Sequence, residues 1–589
     1  MSLDFQGWLL TLAPGIPLLL GVLWGVPQLR PLIGRLAPWS ALPALVLALL
    51  GDSNSSPVML DWLLLGSVIG LTPTTQVFLF FTALIWTAAG LHGRGALGEG
   101  DHCERFCVFW LFTLAGNIGL IVALDAPLFY ASFALMTFAA YGLIVHDRGE
   151  ESRRAGRVYL VLAVLGEALI LLGLMLATLA SDASLRPLLA DLPAAIGASV
   201  HRDWIVAGLW LGFGIKVGLP LLHFSLPLAY AAAPIPVAAV LAGAMIKAGL
   251  LGWLVTLPLG VDGLQVWGSA LILSGLFAAF AAAFVGVHQR QPREVLAYSS
   301  ISQMGMITVI LGVWFHAPQV GPAALLAVTL FAFHHALAKA ALFLGADVLG
   351  ARGSGIRVPV WRWVVLAIPA LALVGWMPSG MLTKASMKAV LAGDTVWIAF
   401  WPQLVPLLTL GAVGTALLMA RFFWLLYRDT TDRSRGAGRV SAGWLVLSIA
   451  VLAAAFLLPR WGVYGVWPSD FVDLWTLAWP VVFALLLAVA AARFLRPWPI
   501  PPGDLLLLLT PVPALALRAV RAIGVTGPAV RHILRHRLAQ MLALYLYVDH
   551  RLGRFAEYQW RRQAMLLFAL LLALFLLLSL LGAIGFREP

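Results

Sequence analysis

The chain has 589 residues and a formal net charge of +12; 61% of its side chains are hydrophobic and only 11% are charged, giving a mean hydropathy of +0.95. A soluble fold of this size needs a far more polar surface, so the chain reads as an integral membrane protein with no polar stretch long enough for a soluble enzyme domain. The basic balance then belongs to loops rather than to a nucleic-acid partner, and Cys103 and Cys107 in CERFC, even with His102, are too few for a disulfide framework or a metal, iron–sulfur or haem site, so no cofactor is expected.

At about 20 apolar residues per crossing, uninterrupted apolar windows place helices near 7–27, 36–51, 73–92, 105–124, 127–146, 156–180, 202–225, 232–258, 264–288, 294–315, 320–349, 360–392 (broken), 401–427, 441–459, 472–495 and 564–584. The first lacks a basic start and a small-residue cleavage site and reads as a span rather than a removed signal. Most connections after odd-numbered helices, such as QLRPLIGR, HGRGALGEGDHCER, HDRGEESRRAGR, HQRQPRE and YRDTTDRSRGAGR, are rich in arginine. Most after even-numbered helices, such as GDSNSSP, LDAP, GVDG, HAPQVGP and LAGDT, carry acids or neutral residues. The positive-inside rule therefore predicts cytoplasmic odd-side loops and an N-terminus outside, for a multi-pass chain whose expected location is a bacterial inner membrane.

Six regions follow in order: N-terminal helices (1–100), a first five-span unit (101–258), a second (259–430), additional helices (431–500), a segment on the cytoplasmic side (501–563) and a final span (564–589). In the segment before the final span, Ile533, Leu534, Leu538, Met541, Tyr545, Val548, Leu552 and Phe555 recur every three or four positions opposite Arg531, Arg535, Arg537, Arg551 and Arg554. That pattern predicts an amphipathic helix lying either on lipid or across a neighbouring subunit.

A charge at mid-span costs roughly 2.5 to 3.5 kcal/mol on insertion scales, which makes such residues candidates for function. Glu167 lies in VLAVLGEALILLGL, Lys216 in WLGFGIKVGLPLLHF, Lys247 in LAGAMIKAGLLGWL, His334, His335 and Lys339 in FAFHHALAKAALFL, and Lys384 in GWMPSGMLTKASMKAV, with Lys388 one turn on. His335 and Lys339 share a helix face. Gly218 and Pro220 beside Lys216, and Pro378 and Gly380 before Lys384, predict broken helices that free backbone carbonyls near each ammonium. Snorkelling to the interface is the plainer reading for Lys388 and stays open for Lys247, and His334 could simply bond a carbonyl. The two five-span units each place a broken, lysine-bearing helix fourth, and an odd span count inverts one unit relative to the other, the inverted-repeat plan of secondary transporters. A desolvated lysine holds its proton less firmly until a carboxylate approaches, so a row of such groups joined by water would pass protons along the bilayer centre.

At these residues the chain resembles the antiporter-like membrane subunits of respiratory complex I (L, M and N types), the Mrp cation/proton antiporters (D type) and group 4 membrane-bound hydrogenases. The stretches GFGIKVGLPLLHFSLPLAYAAAPIPVAAVLAGAMIKAGL, PREVLAYSSISQMGMITVILG, HHALAKAALFLGADVL and GWMPSGMLTK carry the match, over roughly residues 60 to 430. The resemblance implies an all-α polytopic core of about fourteen helices with inverted repeats, two broken helices and a proton route through Lys216, Lys247, His335, Lys339 and Lys384. It also implies partners: other membrane subunits of a hetero-oligomeric complex, with protons as the ion handled here and Na⁺ only by way of the complex. Two departures stand out. The family's fifth-helix acid is replaced by Ala134 in SFALMTFAAY, and its PDAH-like turn reads PLAY from Pro227 to Tyr230. Glu167, one helix on, is the deep acid left to partner Lys216.

The expected function is proton conduction coupled to redox chemistry or cation exchange in partner subunits, with no catalytic site in this chain. Two alternatives stay open: a transport-impaired structural or coupling subunit, and the membrane partner of an inorganic-carbon uptake complex.

Overall fold

The computed structural model describes residues 5–64, 66–94, 101–181, 187–350, 358–392, 403–431, 440–467, 471–494 and 500. The amphipathic segment and final span expected after residue 500 lie outside the described residues. The described residues fall into two units, one of residues 5–59 and 67–500 and one of residues 60–64 and 66.

Prolines and caps set most helix starts. After α1 (Phe5–Leu23), the second crossing is built in pieces, α2 (Arg30–Leu36), a 3₁₀ turn (Ala37–Trp39) and α3 (Leu42–Leu50). It begins near Pro27 rather than near 36 as the apolar window suggests, and Pro31, Pro38 and Pro43 divide it because each lacks the N–H that a continuous helix needs. Two short strands, β1 (Val58–Leu60) and β2 (Ser67–Ile69), make a two-stranded sheet before α4 (Pro73–His92). Then come α5 (Asp101–Val122), α6 (Ala126–Ile144) and α7 (Glu150–Ala180). α7 starts six residues ahead of its apolar window, where Glu150 and Glu151 place negative charge in the first turn.

The chain continues through α8 (Leu192–Ala198), α9 (Arg202–Val217), α10 (Ser225–Ala232) and α11 (Ile235–Val240), a π-helical turn (Leu241–Met245), then α12 (Ile246–Thr256), α13 (Gln265–Val287), α14 (Pro292–His316) and α15 (Gly321–Gly350). The remaining helices are α16 (Val360–Val374), α17 (Pro378–Ala392), α18 (Leu404–Thr431), α19 (Ala442–Leu457) and α20 (Phe471–Phe494). Side chains close several N-termini: Thr72 with Thr75 at α4, Asp125 at α6, Gln291 with Glu294 at α14 and Ser441 at α19.

Among the described residues, 13 helical segments are long and apolar enough to cross a membrane. The chain is an all-α polytopic membrane protein apart from its one small sheet. The crossing formed by α11, the π turn and α12 is wholly enclosed, as is α14, and α15 is buried along most of its length. Association inside a bilayer depends on close packing rather than on water release. α13 and α14 meet backbone to backbone: a Cβ added at Gly305 would stand 2.5 Å from the Gly275 carbonyl oxygen. At one end of the bundle, His92 on α4 lies 2.6 Å from Ser441 Oγ and 3.1 Å from Asp347 Oδ2 on α15, placing the ends of α4 and α15 beside the start of α19.

Candidate functional site

The enclosed helices carry the ionisable residues, and two helix breaks position the outermost of them. α9 stops one residue after Lys216 because Gly218 is left-handed (φ +95°), its N–H bonding back to the Gly214 carbonyl at 2.8 Å. Pro220 lies in the irregular stretch before α10. In the later half, α16 ends at Val374 with Gly375 left-handed (φ +104°), and the Trp376 N–H returns to the Leu371 carbonyl at 2.9 Å. Pro378 then opens α17, and Gly380 lies so close to α16 that a side chain there would overlap the Ala372 carbonyl.

Both lysines use the same physics. Lys216 sits in the last turn of α9, the negative end of that half-helix. Lys384, on α17, reaches back to donate to the Val374 carbonyl, one of those left without an intrahelical partner where α16 ends. Gly375 leaves room for this reach, since a Cβ there would come within 2.8 Å of Lys384 Cδ. Each lysine is thus positioned by the C-terminal end of a helix at a break, Lys216 through its backbone and Lys384 through its ammonium.

Around Lys216 the structure gathers residues from α6, α7 and α9. Its Nζ donates to the Tyr159 hydroxyl at 3.0 Å, and that hydroxyl donates to the Thr137 carbonyl at 2.9 Å. The same Nζ lies 5.1 Å from the Tyr159 ring centre and 5.7 Å from that of Phe133. Glu167, only 4% exposed, lines the same small cavity of about 30 Å³, with the Thr137 side chain rather than Lys216 beside its carboxylate. That volume holds one or two waters. Glu167 on α7 and Lys216 on α9 thus face one cavity.

The centre is sealed. Lys247 is 0% exposed, and its Nζ donates to the Ala242 carbonyl at 2.8 Å. This carbonyl belongs to the π turn, whose Leu241 carbonyl accepts both the Ile246 N–H and the Tyr230 hydroxyl, the latter at 3.2 Å; such turns are often found at functional sites. Lys339, also fully buried, donates to the Leu296 carbonyl of α14 at 2.9 Å. His335 stacks on Phe331 at 5.1 Å, and both its ring nitrogens are buried with no partner. Lys247 and Lys339 lie within each other's electrostatic reach, and His335 within reach of both. Neither buried lysine snorkels.

His334 faces the other way, into a second cavity of about 30 Å³ that it shares with Gln303, Thr383, Lys384 and Lys388. Its Nδ1 lies 3.1 Å from Ser379 Oγ in the first turn of α17, so its partner is a hydroxyl rather than a carbonyl. Glu167 with Lys216, Lys247 with His335 and Lys339, and His334 with Lys384 are thereby three groups brought together. α12 adjoins the first at Gly249, where an added Cβ would come 3.1 Å from the Lys216 Cβ. Sequence reading missed Tyr159, Thr137 and Ser379, hydroxyl residues without charge to mark them; a tyrosine two turns before Glu167 on one helix was the available signal. Among the described residues no group of three His, Cys, Asp or Glu could hold a metal; Cys107 is a buried free thiol.

Residues 123–393 match the family described as NADH:quinone oxidoreductase/Mrp antiporter, TM. Hydrogenase-4 component B of Escherichia coli is 29% identical over 43% of this chain, a match that spans only 38% of that protein's own length. NADH-quinone oxidoreductase subunit N of Geobacter metallireducens is 29% identical over 68% of this chain and 84% of that one. In fold, the chain is similar to one in the structure of the Mrp complex from Dietzia sp. DQ12-45-1b, with a TM-score of 0.68 and 20% identity over 92% of this chain and 63% of that one. The chain is thus similar to antiporter-like membrane subunits across the same stretches that carry its motifs.

Proposed function

We propose that this antiporter-like membrane protein is a proton-conducting subunit of a multisubunit membrane complex. Protons pass along Glu167, Lys216, Lys247, His335, Lys339, His334 and Lys384, coupled to redox chemistry or cation exchange carried out by partner subunits. The observation that carries this reading is the arrangement of the ionisable groups. Three sealed ones, Lys247, His335 and Lys339, occupy the enclosed helices, flanked by Lys216 and Lys384, each at a helix break and each lining a water-sized cavity. Buried charges of this kind are costly in a bilayer and find their use in ion paths. Glu167 serves as the movable countercharge of Lys216 in place of the acid missing at Ala134. The N-terminus lies outside and the arginine-rich connections face the cytoplasm of a bacterial cell.

The test uses the intact complex, isolated through a tag on this chain and reconstituted in vesicles with an internal pH dye and an imposed potential. Lys216→Ala and Lys384→Ala are each expected to lower proton flux at least tenfold, and wild-type flux in both would sink the proposal. Mass spectrometry of the same preparation identifies the partners and thus the energy source. The missing acid at Ala134 favours a second reading, a transport-impaired coupling subunit; there the wild-type complex would carry no flux that depends on this chain.

A further inference from the structure

The proton-path reading treats Glu167 and Lys216 as a pair, yet they do not touch. Lys216 Nζ is engaged by the Tyr159 hydroxyl at 3.0 Å and flanked by the faces of Tyr159 and Phe133, while Glu167 is buried beside the Thr137 side chain in the cavity that Lys216 also lines. A carboxylate and an ammonium that share so small a cavity attract each other, so a second partner is needed to keep the ammonium off the carboxylate. Tyr159 is fitted for that. Its own proton is committed to the Thr137 carbonyl at 2.9 Å, which turns the oxygen's lone pairs toward Lys216 and fixes the ring as a cation-binding face.

We propose that Tyr159 is a positioning residue: it provides a second resting place for the Lys216 ammonium, so that the lysine alternates between the Tyr159 hydroxyl and the Glu167 carboxylate. Without such a place the pair closes into a fixed ion pair and stops exchanging protons. With it, the lysine has two positions, one that neutralises Glu167 and one that releases it. The pairing partner and its release site both come from α7, so a small shift of α9 against one helix is enough to move the ammonium between them.

The inference rests on the proton-path reading, and the experiment separates the two. Tyr159→Phe removes one oxygen atom and keeps the ring. In the reconstituted complex it is expected to lower proton flux about tenfold, the order set by losing one hydrogen bond to a charged group. The infrared carboxyl band of Glu167, identified as the one lost in Glu167→Gln, is expected to shift as Lys216 settles against it. Wild-type flux in Tyr159→Phe, or reduced flux with the Glu167 band unmoved, overturns the role of Tyr159. Wild-type flux in Glu167→Gln and Lys216→Ala instead overturns the proton path itself. Should Tyr159→Phe fail to assemble, fluorotyrosine at 159 weakens the hydroxyl as an acceptor at nearly constant shape, and the same shift of the Glu167 band is expected.

Discussion

At the scale of single residues, Lys247 separates cost from use most sharply. Its side chain is fully enclosed and its ammonium has one described hydrogen bond, to the Ala242 carbonyl. Lys339 and His335 nearby bring no opposite charge. A buried ammonium with no opposite charge beside it adds little to stability, since even buried ion pairs can often be replaced by apolar side chains at no cost or with a gain of about 1 to 4 kcal/mol. Lys247→Met is therefore expected to leave the complex as resistant to heat as the wild type or more so, while proton flux falls at least tenfold. A loss of thermal stability together with unchanged flux would make Lys247 a structural residue. The identity of this lysine is legible in the sequence because a charge stands out against an apolar window. Its environment is not: nothing in LAGAMIKAGL announces that the preceding turn winds as a π-helix and offers its oxygens inward.

At the scale of elements, the two breaks make a matched pair with a difference. Gly218 and Gly375 both adopt left-handed conformations, which cost an L-residue roughly 1 to 2 kcal/mol, so alanine at either position should lower stability by about that much. The surroundings then diverge. A Cβ at Gly218 approaches Leu226 and Ile301 at 3.2 and 3.3 Å, whereas one at Gly375 meets Lys384 Cδ at 2.8 Å. Gly218→Ala should thus act chiefly on thermal stability. Gly375→Ala should add a clear loss of flux per folded complex, because it pushes Lys384 away from the Val374 carbonyl. Equal flux in the two variants would show that this contact has no part in conduction. Both breaks were readable from Gly and Pro beside a lysine. The division of the second crossing into α2 and α3 was not, since a window of high hydropathy looks the same whether one helix or two short ones fill it. Tyr159 was hidden for a related reason: aromatic residues abound in membrane helices, and only the fold shows which one turns its hydroxyl toward a buried ammonium.

At the scale of the whole molecule, loop composition and three-dimensional contact agree on which helix ends share a side. The ends of α4 and α15 and the start of α19 fall on the arginine-rich side when spans are counted from the sequence, and the structure brings His92, Asp347 and Ser441 from those three points within hydrogen-bonding distance. Nothing in the counting of spans knew of that contact, so it checks the parity of all crossings between residues 92 and 347. Parity alone leaves the absolute direction open, and the positive-inside rule supplies it. Gly149, in the arginine-rich connection before α7, should face the cytoplasm, and Asp262, in the connection between α12 and α13, the opposite side. With Cys103 and Cys107 replaced by serine, Gly149→Cys and Asp262→Cys give two reporters for a membrane-impermeant maleimide applied to whole cells. Asp262→Cys is expected to label at once and Gly149→Cys only after the membrane is opened. The reverse pattern would turn the molecule over and place the arginine-rich connections outside, against the positive-inside rule.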